Sequence, residues 1–402
     1  MDPVRLGREY VLLGLACDRL VPGLVDCYVG PAEARRRVAA EPGPDPAALV
    51  ARTRWLREEL ARSDLTPARA DFLDRQLVAL QCGLRRAAGA PMSYRAEVLA
   101  YFDTEVAPGE PDAYRAAHAR LDGLLPGSGD LGARLAAFRA RTRVPAAVLA
   151  PAVQRVTGAL RERARATFDL PPAEEVLFEL VSDRPWSAFH RYLGGHRSRV
   201  SVNAEIELGV TQLARLVAHE TYPGHHVEHV HASEAGPDEP ERTLFLLNTP
   251  QCLVSEGQAD AGLEVLAGPD HRAWLPAALD GLPGSPGAEL VGLAQRVDAA
   301  LEALAPVRQD AALLLHDRGW PEAEASAHLR RWLLVDERRA GQMLRFLTHP
   351  RWRAYTTTYV EGRRLVGSWL GAGGPDDPVA DRYLRLRRHP RSPSALRADL
   401  MH

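Results

Sequence analysis

The chain has 402 residues, 46% of them hydrophobic and 25% charged, with a formal net charge of −2. Those proportions are ordinary for a globular protein of one large domain or two smaller ones, and near-neutral charge gives no reason to expect a nucleic-acid partner. No run of 18 apolar residues marks a membrane span; MDPVRLGREY also lacks the basic start and apolar run of a signal peptide, so a cytoplasmic location is expected.

Taken in order, residues 5–20 form an apolar-rich helix, followed by a turn-rich segment from Val21 to Pro31. Apolar spacing predicts helices over 32–40, 46–63, 66–87, 93–104, 111–123, 128–141 and 145–168, with prolines between them. This part carries no chemical motif and is expected to wall one side of a cleft. The character changes at Pro171-Pro172. Residues 175–181, 187–193 and 199–203 read as strands, and Gly194-Gly195 joins the last two, so a small antiparallel sheet is expected. A sheet edge can hold extended substrate through main-chain hydrogen bonds. Asn203, at the end of the expected edge strand, is a candidate substrate contact.

Ile206, Val210, Leu213 and Val217 then recur at helical spacing and lead into His219-Glu220-Thr221-Tyr222-Pro223-Gly224-His225-His226. In the zinc-protease pattern HExxH, two His at i and i+4 share one helix face and the Glu is general base. Here Pro223 stands four residues after His219. Two repairs remain open. A bulge at Pro223-Gly224 can return His225 to the metal, because Pro has no N–H to donate and Gly tolerates unusual torsions. Alternatively, a nearly straight helix aligns His226 with His219 after seven residues, about two turns. Proline disfavours the straight helix, so the bulge and His225 are preferred.

The third ligand is expected from an acid on a later helix, Glu256. Asp260, one turn on, would orient a ligand imidazole, and Glu264 continues that face. His229 and His231 are expected to lie beyond the site. Helical character resumes over 243–266, 288–304, 307–317 and 321–347, with a loop at 281–287 and an exposed tail over 386–402. The four cysteines, Cys17, Cys27, Cys82 and Cys252, lack ligand-like spacing and are expected to be unpaired; Cys252 is close in sequence to Glu256.

HETYPGHH, SEGQADAGLE and TTYVEGRRL together resemble the bacterial family called domain of unknown function 885, whose pattern reads HExxPGHHLQ, EGWALYAE and SYxxG. The resemblance runs over most of the chain. It implies a largely helical, gluzincin-type metallopeptidase. One zinc ion would be held by His219, one of the His225-His226 pair and Glu256, with Glu220 as base. Tyr359 matches the Tyr of SYxxG and would stabilise an oxyanion; His316 matches a His on a late helix. Tyr355 and Arg363 would share the Tyr359 face on a helix, and Arg363 could bind a peptide carboxylate. This sequence has Glu228 where the family has Gln, and Gln258 and Ala261 where it has Trp and Tyr.

The resulting expectation is a mainly α, zincin-like fold: helices around a cleft, with a small antiparallel sheet beside the active helix. An N-terminal helical region (1–170) precedes a catalytic region (171–385) and the tail. The expected activity is zinc-dependent cleavage of short peptides. The alternatives are an amidase acting on a small non-peptide amide and an inactive peptide-binding relative.

Overall fold

The computed structural model describes residues 1–183 and 186–401. Helices dominate, and the sequence shows why they begin where they do. Pro3, Pro46, Pro67, Pro111 and Pro250 occupy first turns, where the missing N–H has no helical partner to lose. Asp2, Asp45 and Thr249 cap the free N–H groups of their helices. No helix among the described residues is long and apolar enough to cross a membrane.

Among the described residues the strands are β1 (Val25–Tyr28), β2 (Glu175–Val181), β3 (Ala188–Gly194), β4 (Arg197–Asn203) and β5 (Leu244–Leu246). The sheet ahead of the active helix has the order β2-β4-β3. It is mixed, not antiparallel as expected: β3 and β4 form a hairpin, whereas β2 runs parallel to β4 from Glu175↔Arg197 to Val181↔Asn203. The two-residue link between β3 and β4 imposes their antiparallel pairing, and β4, lying between β2 and β3, runs parallel to β2. Asn203 therefore ends the central strand, not an edge. Its buried side-chain amide donates to Trp186 O at 3.1 Å, and its Oδ1 accepts from Glu205 N at 3.0 Å. The edge strand beside the histidine helices is β3, whose His190 and Tyr192 stack on His229.

Three further departures shape the site. β1 and β5 pair antiparallel across more than 200 residues, in segments expected to be turn and helix; the helix bearing Glu256 starts only at Pro250 and runs to Ala267. The stretch 321–347 is two helices, Glu322–Leu333 and Glu337–Thr348, because Leu334 turns left-handed (φ 51°) and Asp336 caps the second. The expected tail is docked: helices Val379–Arg388 and Pro393–Asp399 bury Leu386, Arg387 and Leu396, and Ser394 N donates to Asp103 Oδ2 at 2.7 Å. Its last residue, His402, lies outside the described residues. Apolar side chains spaced along these two short helices supply the docking force.

The described residues form two main apolar cores. The smaller joins residues between Leu6 and Leu84 with Leu244 and Leu246. The larger runs from Ala79 to Leu396, without a break near residue 170, and surrounds the histidine and glutamate helices.

Candidate metal centre

The motif helix, Val210–Glu220, stops one residue after His219, and a new helix, His225–Ser233, begins at His225. Between them the Tyr222–Pro223 peptide is cis, and Gly224 N closes the turn onto Ala218 O at 3.0 Å. A Cβ on Gly224 would collide with the carbonyl oxygens of His219 and Ala218, so only glycine lets the chain double back this tightly. The break decides between the two repairs. It brings His225 to His219, their rings meeting edge to face at 4.8 Å between centroids. His226 turns the other way.

His219, His225 and Glu256 offer ligand atoms that all lie within 4.8 Å of one another. His219 Nε2 is 3.3 Å from Glu256 Oε2, and His225 Nε2 is 3.8 Å from Glu256 Oε1. Donors bound to one tetrahedral zinc at ~2.0–2.2 Å stand about 3.3–3.6 Å apart, close to this spacing. Each imidazole is backed by a carboxylate: His219 Nδ1 bonds Asp260 Oδ1 at 2.9 Å, and His225 Nδ1 bonds Glu228 Oε2 at 3.2 Å. Such pairing protonates Nδ1 and leaves the Nε2 lone pair for a metal. Glu256 accepts at Oε1 from Tyr355 OH at 2.8 Å, but Oε2 is buried and forms no hydrogen bond. In the metal-free chain His219 Nε2 stands at ion-pair distance from Glu256 Oε2, and a cation replacing that proton would be met by both imidazoles and the carboxylate.

Proton affinities report the same crowding. Burial alone would depress both imidazoles, but His219 is held well above its ordinary value by its bond to Asp260 and by Glu256. His225 is raised by its bond to Glu228. Glu220 is buried, and that burial raises its carboxyl although His219 and His225 oppose it; a raised carboxylate suits a general base near neutral pH. Burial also opposes ionisation of Asp260 and Glu228, but His219 draws Asp260 below the usual carboxylate range, and Arg387 with His225 does the same for Glu228.

Tyr355 and Tyr359 lie on the segment that passes the Glu256 helix at Gly257 and Gly362. A Cβ on Gly257 would strike Gly362 O, and one on Gly362 would strike Leu253 O. This approach brings the Tyr355 hydroxyl to Glu256, with Cys252 Sγ 3.3 Å from it. Tyr359 packs edge-on to Tyr355 yet stays 38% exposed, and burial in the cleft together with Glu256 and Asp260 pushes its phenol well above its ordinary value. It is a neutral donor on an accessible wall.

The other candidates are placed elsewhere. Arg363 pairs with Glu302 at 2.9 Å. His316 Nε2 bonds Leu347 O at 2.8 Å, and its ring lies against Tyr94. His226 joins a buried chain: His190 Nε2 to Ser198 Oγ and Ser198 Oγ to His226 Nδ1, both at 2.8 Å, then His226 Nε2 to Glu174 Oε2 at 3.1 Å. Arg161 and Tyr222 also bond Glu174. His229, expected beyond the site, stacks on His190 at its border.

Two groups that hold the centre escaped the sequence reading. Glu228 lies three residues after His225, a spacing that puts both on one helix face, and so was visible in principle. Arg387 was not: it comes from the docked C-terminal helix, fully buried, with Nη1 3.1 Å from Glu228 and Nη2 3.2 Å from Pro223 O.

The fold is similar to that of a presumed lipoprotein from Colwellia psychrerythraea, with a TM-score of 0.54 and 16% identity over 88% of this chain and 66% of that one. It is also similar to a presumed lipoprotein of unknown function from Shewanella oneidensis, with a TM-score of 0.52 and 12% identity over 98% and 82%. The chain spans 66% of the length of the Colwellia protein. At such identities the likeness concerns the fold alone. No family model and no curated protein matches the chain.

Proposed function

We propose that this chain is a zinc-dependent metallohydrolase of the gluzincin kind, a relative of the domain of unknown function 885 family with a zincin-like catalytic region, cleaving short peptides. The observation that carries the reading is the convergence of His219, His225 and Glu256, whose ligand atoms lie within 4.8 Å of one another and which are backed by Asp260, Glu228 and Tyr355 respectively. Glu220 follows His219 directly and has no hydrogen-bond partner among the described residues, which leaves it free to act as a base.

In this mechanism His219, His225 and Glu256 would hold one zinc ion, which would supply Lewis acidity toward the scissile carbonyl. Asp260 and Glu228 fix the two rings, and Tyr355 fixes Glu256. Glu220 takes a proton from the attacking water and delivers it to the leaving nitrogen, so that the amide and one water become an acid and an amine. Tyr359 donates a hydrogen bond to the carbonyl oxygen as charge develops there. Elemental mass spectrometry of purified wild-type protein and His219→Ala tests the site: about one zinc per chain, lost in the variant, is expected. Glu220→Gln should keep the metal and lose peptide hydrolysis. Full turnover by Glu220→Gln, or no metal in the wild type after zinc is added back, refutes the reading.

A further inference from the structure

On the sheet side, the imidazole that flanks the candidate ligands is that of His190, from the edge strand β3. Its ring centroid lies 6.0 Å from that of His225, and His229 stacks flat on it, 5.2 Å away with the planes 4° apart. The residue is 7% exposed, and its two ring nitrogens have different surroundings. Nε2 bonds Ser198 Oγ at 2.8 Å. Nδ1 has no hydrogen-bond partner among the described residues, and it is not one of the buried polar atoms cut off from solvent. A polar atom of a buried ring that flanks His225 is thus open and unmatched. Stacking on one side and the Ser198 bond on the other fix the direction in which it points.

The buried chain behind His190 decides what that atom is. At the far end, Glu174 faces Arg161 at 2.7 Å and Arg165 at 3.0 Å. A carboxylate with two guanidinium partners is ionised and only accepts. His226 Nε2, 3.1 Å from Glu174 Oε2, is therefore its donor. The His226 side chain is fully buried, and a positive charge there would be a third cation on a carboxylate that already has two. The neutral ring is favoured, and its Nδ1 accepts. Ser198 Oγ gives its single proton to that Nδ1 at 2.8 Å, so it must accept from His190 Nε2. Burial, reinforced by the surrounding imidazoles, pushes His190 well below its ordinary value, and it is uncharged. The lone pair of His190 is left on Nδ1. The direction set at Glu174 passes unbroken through three groups to the cleft.

We propose that His190 is a substrate-contacting residue, whose Nδ1 accepts a hydrogen bond from a main-chain N–H of the bound peptide beside the carbonyl under attack. The inference rests on the peptidase reading above. That reading gives the peptide carbonyl a cation and the Tyr359 hydroxyl, and Glu220 the water. It gives the adjoining N–H nothing, and an N–H drawn out of water needs an acceptor. A neutral imidazole suits a neutral N–H, because it brings no charge that would have to be desolvated. The buried chain holds the ring in the one tautomer that can accept.

The first test needs neither zinc nor substrate. Nitrogen NMR of full-length protein labelled at histidine, with His190→Asn to assign the signal, should show His190 protonated at Nε2 and bare at Nδ1. Ser198→Ala should release that tautomer. The opposite tautomer, or a doubly protonated ring, overturns the proposal. The second test is calorimetric titration of zinc-loaded wild type, His190→Ala and His190→Asn with N-acetyl-alanyl-leucine hydroxamate and its two N-methylated forms, after elemental analysis. Methylation of one main-chain nitrogen should weaken wild-type binding about 3- to 10-fold and have little effect in His190→Ala. His190→Asn, whose amide oxygen can stand near the Nδ1 position, should keep part of the penalty. A wild type indifferent to methylation at both nitrogens overturns the proposal even if the alanine variant fails to fold. Equal penalties in wild type and His190→Ala also overturn it. Acetohydroxamate, which offers a metal only its chelating group, separates the two readings. If it binds at one zinc per chain while the methylation pattern fails, the His190 reading alone is wrong. If zinc is absent, the metal reading fails and takes this one with it.

Discussion

Replacing Asp260 by Asn isolates the contribution of one charge to the metal centre. Asp260 Oδ1 accepts from His219 Nδ1 at 2.9 Å; the Asn amide oxygen keeps an acceptor of the same shape there, so the ring orientation survives and the negative charge goes. Loss of a partner behind a metal-binding imidazole typically lowers affinity about 10- to 100-fold, which is roughly 1.4–2.8 kcal/mol. The structure indicates that little else changes. Arg215 retains Glu264 and Glu302 at 3.0 and 2.9 Å, and Arg363 retains Glu302 at 2.9 Å, so no buried cation loses its last counter-charge. The assay is competition for zinc against a chromophoric chelator, with wild type and variant compared at one pH, about 8, because, against burial, Asp260 and Glu256 hold His219 well above the ordinary imidazole range. The expected result is a weaker zinc constant together with a lower melting temperature of the metal-free protein, in which the His219–Asp260 pair is itself stabilising. An unchanged zinc constant would refute the argument that Asp260 prepares His219 as a ligand.

Gly224→Ala forces a methyl group against the His219 and Ala218 carbonyls. Overpacking of this kind costs about 1–3 kcal/mol, and the backbone shift that relieves it separates His225 from His219. A lower melting temperature and loss of zinc are expected together; wild-type values for both would show that the turn has slack. The metal-free protein should also lose stability in two acid steps. Burial, reinforced by Arg387, pushes His231 down to about 4, so the unfolded chain takes up a proton below about 6.5 that the folded one resists; some 3 kcal/mol goes as pH falls from 6.5 to 4. Burial opposes ionisation of Glu174, but its bonds to His226, Tyr222 and Arg161 hold it down to about 2, so a similar amount goes between pH 4.5 and 2. Denaturant titrations across this range check both steps, and His231→Leu should shrink the first without abolishing it, because burial also pushes His229 down to about 4.

How legible this site was depended on how local its causes are. The juxtaposition of His219 and His225 was readable because Pro223 and Gly224 act on the adjacent backbone, where the missing N–H and the missing Cβ have direct consequences. The bounds of β2 were readable for the same reason, as an alternating run after Pro171-Pro172. β1 and β5 were not: strands of four and three residues have little periodicity, and each exists because the other lies beside it. The fate of His226 was also hidden. Its partners Ser198 and Glu174 lie 28 and 52 residues away, and nothing in HETYPGHH states that one histidine of the pair faces a metal and the next a buried carboxylate.

Glu228 gains a physical meaning from this arrangement. The family pattern that this sequence resembles has a glutamine there, and at the level of sequence the difference bears on the lining of the cleft. In the structure its carboxylate joins three groups: His225 Nδ1 at 3.2 Å, Ser255 Oγ at 2.5 Å and Arg387 Nη1 at 3.1 Å. Arg387 also bonds Tyr383 OH at 2.7 Å and Pro223 O at 3.2 Å, and Tyr383 OH donates to Pro223 O at 3.0 Å. The C-terminal helix therefore holds both the turn that creates the His225 position and the carboxylate that orients its ring. A glutamine at 228 could still accept from His225, but it would leave Arg387 buried without a counter-charge, a loss of several kcal/mol. Glutamate at 228 and arginine at 387 form one device, and the segment expected to be a free tail packs onto the proposed metal centre.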